Sequence, residues 1–111
     1  MKTPSVGALE LTVLLAVARL GDDAYGLAIR RDVSARTERD YSVGAVYATL
    51  QRLEDKGFLR SHTTDPLPVR GGRARRMFEL TAAGRRALRE AQRVAESVWA
   101  GVGRPLRPDP I

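Results

Sequence analysis

Cysteine is absent from the 111 residues, and His62 is the lone histidine. The first absence removes disulfides, thiolate zinc sites and a cysteine nucleophile; the second leaves no histidine pair to grip a metal. No glycine-rich phosphate loop follows a strand-like segment, and no paired carboxylates fall in a cleft-forming context. An enzyme is therefore not expected, and neither is a cofactor or a metal. His62 reads as a plain surface or hairpin residue. Long apolar runs are missing too: Leu11 to Leu20 is too short to span a bilayer, which takes about 20 apolar residues. Met1-Lys2-Thr3-Pro4 lacks the layout of a secretion signal. A soluble, cytoplasmic protein with no membrane segment is the expectation.

What is present is positive charge. Lys and Arg total 19 against 13 Asp and Glu, a formal net charge of +6. That balance favours a polyanionic partner, either nucleic acid or an anionic membrane surface. The length suits one domain with a modest core, marginal enough that burying surface in a second copy would help it.

Hydrophobic periodicity divides the chain. Leu9, Val13, Ala16, Val17 and Leu20 recur at helical spacing, with Leu11, Leu14 and Leu15 widening the apolar face. Gly21-Asp22-Asp23 breaks that helix, and Asp23 is the expected cap of a second one from Ala24 to about Thr37, with Tyr25, Ile29 and Val33 as its stripe and Arg30 and Arg31 outward. A third helix lies between Ser42, which can accept hydrogen bonds from free N–H groups, and Gly57, which can take the left-handed conformation that ends a helix. Its Val46, Leu50 and Leu53 share one face. The opposite face carries Gly44, Tyr47, Ala48, Gln51, Arg52 and Asp55, small or hydrogen-bonding groups suited to close approach to base edges.

After Gly57, Phe58 to Thr63 turns strand-like, Asp65-Pro-Leu-Pro68 and Gly71-Gly72 mark a loop, and Met77 to Leu80 reads as the returning strand. Thr81 opens a last helix in which Leu88, Ala91, Ala95, Val98 and Val102 repeat at spacings of three and four, a narrow seam for a homodimer. The order is a mainly α winged helix-turn-helix with a two-stranded β-wing and an added C-terminal helix. Residues 1–80 form the expected DNA-binding part, 81–103 the dimerisation helix of the same compact unit, and 104–111 a disordered, proline-rich tail.

Four segments, taken in order, resemble the PadR family of transcriptional regulators over nearly the whole chain up to about Val102. They are Leu9 to Gly21; Ala24 to Ile29 with its Tyr-Gly-x-x-Ile; Ser42 to Tyr47 with Leu50, Leu53, Glu54 and Gly57; and Gly72 to Arg76 with Leu80-Thr81 and Gly84. The resemblance implies a dimeric repressor that binds an inverted repeat in double-stranded DNA and, in some members, lets go on binding a small aromatic effector. Longer members add several C-terminal helices. This chain resembles the short subfamily, whose last helix must supply the dimer contact, helped by the first.

Within that frame the candidate residues each have a functional and an ordinary role. Tyr47 either meets DNA sugar and phosphate or packs beside the core with its hydroxyl in water. Gly44, costly inside a helix by about 1 kcal/mol relative to alanine, fits close approach to a groove. Ser42 caps the helix, contacts phosphate, or does both, and Gln51 and Arg52 reach base edges or stay solvated. Arg70, Arg73, Arg75 and Arg76 gather at the hairpin, where they would meet phosphates or a minor groove. Trp99, beside the seam of Leu88, Ala91, Ala95 and Val98, is a dimer-core aromatic or, by the resemblance, part of an effector pocket. The competing reading is a winged-helix module that contacts an acidic protein without specific DNA binding.

Overall fold

The computed structural model describes residues 6–64, 74–103, 105, 106 and 108. In chain order these form α1 (Ala8–Leu20), a 3-10 turn (Gly21–Asp23), α2 (Gly26–Thr37), α3 (Val43–Asp55), strands β1 (Leu59–Thr63) and β2 (Arg76–Leu80), and α4 (Ala82–Trp99). This is the expected mainly helical winged helix-turn-helix with one further helix.

The core forms where the apolar stripes of α1, α2 and α3 meet the inner face of the wing. Val13, Leu14, Ala16, Ile29, Val33, Val46, Leu50 and Leu53 are fully excluded from solvent, and Phe58, Leu59 and Phe78 nearly so. Leu15, counted in the apolar face of α1, is instead 41% exposed, because the neighbouring elements cover only part of that helix. β1 and β2 pair antiparallel with Leu59 opposite Leu80 and Ser61 opposite Phe78. Side chains alternate across a strand, so Leu59, Ser61 and Thr63 share the inner face with Arg76, Phe78 and Leu80.

Two boundaries differ from the sequence reading. Asp23 does not cap α2: it lies in the 3-10 turn, where its carbonyl accepts the Tyr25 N–H, and α2 starts at Gly26 behind Tyr25. β2 pairs with this stretch: the Ala24 carbonyl accepts the Phe78 N–H, and Tyr25, in extended conformation, bridges to Met77. Pairing with the wing displaces the helix start by two residues. At the other end α4 stops at Trp99, with Gly101 at φ 81°, so Val102 lies beyond the helix that was to carry it in the seam. Of the expected tail, only Pro105, Leu106 and Pro108 belong to the described residues.

The start of α4 is tightly seated. Thr81 caps it by accepting the Gly84 N–H at 3.0 Å and donates its hydroxyl to the Gly57 carbonyl at 2.6 Å. Gly84 presses on the Phe58 carbonyl, where a β-carbon would overlap the backbone. Glu10 ties α1 to the end of α3: it is 8% exposed, accepts the Gly7 N–H at 2.9 Å, and receives Lys56 Nζ on both oxygens at 2.9 and 2.8 Å. Burial pushes its pKa up, but Lys56 and the Gly7 N–H outweigh that and leave it below the ordinary value of 4.5. No helix among the described residues is long and apolar enough to cross a membrane.

Candidate nucleic-acid interface

The third helix is built to hold its outer face rigid. Ser42 accepts the Ala45 N–H at 3.1 Å, satisfying a free donor of the first turn, and Gly57 at φ 80° turns the chain out of it. With Val46, Thr49, Leu50 and Leu53 buried, Gly44, Tyr47, Ala48, Gln51, Arg52 and Asp55 all remain exposed. Among the described residues nothing lies within 4 Å of where the Gly44 β-carbon would be, so no packing between them requires a glycine there. Gln51 donates to Asp55 Oδ1 at 2.9 Å and Arg52 to Thr49 Oγ1 at 3.1 Å, along the helix itself. Such local bonds leave both side chains on the open face.

Tyr47 packs beside the core, but with its hydroxyl against α2 and not in water. It is 41% exposed, yet its ring and hydroxyl lie directly against Gly26, the first residue of α2, where any β-carbon would overlap them. The tyrosine is therefore held by the partner helix while one edge stays open. Leu27 and Val43 flank it as exposed apolar side chains.

The wing arginines separate into different environments. Arg70 and Arg73 lie outside the described residues. Arg75 is exposed, and its guanidinium stacks 4.2 Å from the centre of the Tyr25 ring. Arg76 turns inward, pairing with Glu54 of α3 and hydrogen bonding to Ser61 of β1. Tyr25 and Glu54 were not among the candidate residues. Alternation could have pointed to Arg76 as an inward residue, since it stands two positions before the apolar Phe78; its partners could not be read that way.

After its first turns α4 leaves the core. Leu88 is half-buried and packs against the core of its own chain, so only part of it is open along the expected seam. Beyond it Ala91 is half-buried and Val94, Ala95 and Val98 are exposed, Val94 being an addition to the sequence reading, with Val98 72% and Trp99 64% exposed. This stripe and the residues Val6, Phe58 and Ala87 line a groove of about 920 Å³. Trp99 stands at its outer end.

Comparisons with known proteins agree with this fold. Residues 14–90 match the Transcriptional regulator PadR-like family. A curated relative, Transcriptional regulator Rv3488 of Mycobacterium tuberculosis (strain ATCC 25618 / H37Rv), is 38% identical over 77 residues, covering 69% of this chain and 67% of that protein. The crystal structure of a PadR family transcription regulator from Clostridium difficile R20291 superposes with a TM-score of 0.76 at 23% identity, over 91% of this chain and all (100%) of the other. A PadR family transcriptional regulator from Eggerthella lenta DSM 2243 superposes with a TM-score of 0.66 at 28% identity, over 91% and 89% of the two chains. With the family match spanning most of the chain and the winged helix in place, this protein belongs to the PadR-like family of transcriptional regulators.

Proposed function

We propose that the chain acts as a homodimeric, sequence-specific repressor that binds an inverted repeat in double-stranded DNA, with α3 in the major groove and the wing on the flanking backbone. Gly44 carries this reading: an exposed glycine near the start of a well-capped helix lowers helix propensity and relieves no internal clash, so close approach by something outside the chain is its use. Ser42 and Tyr47 serve as backbone contacts, Gln51 and Arg52 as readers of base edges, and Arg70, Arg73 and Arg75 as phosphate or minor-groove contacts. Residues 81–103 are the dimerisation part, the two copies meeting along Ala91, Val94, Ala95 and Val98. A small aromatic effector would stack on Trp99 where the groove of one copy faces the other. Its volume falls in the range of ligand pockets, about 300–1,000 Å³.

Selection of bound duplexes from a random pool tests the reading. Two inverted half-sites whose centres lie about 34–36 Å apart, or a multiple of that, are expected from a two-fold dimer. Weak, sequence-blind retention with no enrichment would overturn it and favour the protein-interaction module.

A further inference from the structure

We propose that Glu54 is a positioning residue for DNA recognition and that Arg76, the last arginine of the wing cluster, is its strut and not a phosphate contact. The proposal rests on the reading of α3 and the wing as the DNA interface. Three elements meet in one closed ring of polar contacts. Arg76 Nη2 of β2 reaches Glu54 Oε2 of α3 at 2.5 Å, Ser61 Oγ of β1 donates to Glu54 Oε1 at 2.5 Å, and Arg76 Nε donates to Ser61 Oγ at 3.0 Å. Arg76 commits its Nε and one Nη2 hydrogen to this ring, while its side chain stays 41% exposed. The carboxylate accepts on both oxygens, and the serine hydroxyl accepts from the arginine while donating to the glutamate.

The register explains why this arginine and no neighbour takes the role. Arg76 shares the inner face of the hairpin with Phe78 and Leu80, and its guanidinium also lies 5.0 Å from the centre of the Phe78 ring. Arg75, one residue earlier, points the other way onto Tyr25. A two-stranded ribbon on its own is marginally stable and free to swing. Its inner apolar contacts anchor the base through Leu59 and Phe78, while the Glu54 ring braces it one step further out, against the same helix that presents Gly44, Tyr47 and Gln51. The angle between recognition helix and wing is thus set by a side chain that touches no DNA.

The test uses the full chain, a duplex recovered by selection, and a shuffled duplex of equal length. For both Glu54→Gln and Arg76→Gln, affinity for the selected duplex should fall about tenfold, the size of one lost base-pair discrimination. Affinity for the shuffled duplex and the salt slope should stay unchanged. The exchanged pair Glu54→Arg/Arg76→Glu should regain most of the loss. An Arg76→Gln variant whose slope drops by about 0.9 while Glu54→Gln binds normally would make Arg76 a phosphate contact and overturn the strut. Equal losses on both duplexes with a lowered melting temperature would make the ring merely structural and overturn it as well. Amide hydrogen exchange gives an arm independent of DNA: β1 and β2 should exchange faster in Glu54→Gln while α1 and α3 do not, and an unchanged wing overturns the proposal. A wild type that shows no preference for any duplex would remove the DNA reading and leave this exchange result to decide the brace.

Discussion

Gly26 lies directly against the ring and hydroxyl of Tyr47, at a spacing that admits no β-carbon. The glycine at the start of α2 therefore exists for the tyrosine of α3, and the pair fixes how the two helices of the helix-turn-helix abut. Gly26→Ala should force Tyr47 aside and cost about 1–3 kcal/mol in urea denaturation, the usual penalty of overpacking. In a Tyr47→Ala background the same substitution should cost clearly less, because the clash is gone. Equal costs in both backgrounds would refute the coupling.

Gly44 is the opposite case. Open space surrounds it, so Gly44→Ala should raise stability by up to about 1 kcal/mol through helix propensity. Gly44→Leu should keep a native circular dichroism spectrum and a normal melting temperature yet lose affinity for a selected duplex, as the larger side chain holds α3 off the groove. Unimpaired binding by the leucine variant would mean that another surface reads the DNA.

Acid should unfold the protein partly through Glu10 and Asp32. Hydrogen bonding from Arg19 holds Asp32 below its ordinary pKa, despite partial burial, with Arg36 adding to it; Glu10 is held down by Lys56 and the Gly7 N–H against the cost of burial. A carboxylate with a depressed folded-state pKa contributes stability that is fully present above its unfolded value and is lost as pH falls through the folded one. The contribution should be flat from pH 7 down to about 5 and decline below about 4.5. Lys56→Met leaves a buried, poorly compensated carboxylate and should cost about 3 kcal/mol near neutral pH. The gap between variant and wild type should narrow as pH falls through the depressed pKa of Glu10, because protonation removes the charge that Lys56 compensates. Parallel stability curves across the whole range would show that the pair does not couple α1 to α3.

Where α4 meets the wing, Gly84 faces backbone, which cannot move aside as a side chain can. Gly84→Ala should therefore cost about 3 kcal/mol or more, at the upper end of overpacking penalties. Thr81→Ala, which removes the cap bonded to the Gly84 N–H, should cost about 1 kcal/mol. Thermal melts of the two variants check the ranking, and a tolerated alanine at 84 would mean that α4 can shift along Phe58.

For the proposed dimer, Val94→Glu/Val98→Glu should remain folded, since both valines are exposed in the single chain, but sediment as a monomer at micromolar concentration. Leu88→Glu should instead destabilise the fold, because Leu88 packs against the core of its own chain. A valine-pair variant that still dimerises would place the interface elsewhere.

Local signals were enough for most of the architecture. The apolar period of α1 and α3, the stops at Ser42, Gly57 and Thr81, and the two strand-like runs are written within a few residues of where they act, and the structure has them there. Short-range hydrogen bonding and one-sided burial decide such features almost independently of what packs beyond. The open face of α3 follows from the same periodicity.

Contacts between distant parts of the chain had no such trace. The start of α2 moved from Ala24 to Gly26 because β2, some fifty residues on, takes the Ala24 carbonyl and bridges Tyr25. Spacing alone made Leu88 and Val98 equivalent positions of one seam; only the docking of α4 shows that the first packs partly against its own core and the second is open. In the wing, composition grouped Arg75 with Arg76, and the strand register turned one onto Tyr25 and the other onto Glu54. Periodicity states which side chains share a face, because it is a property of one element. What that face meets depends on how elements separated by tens of residues come together, and that is decided by the packing of the whole core.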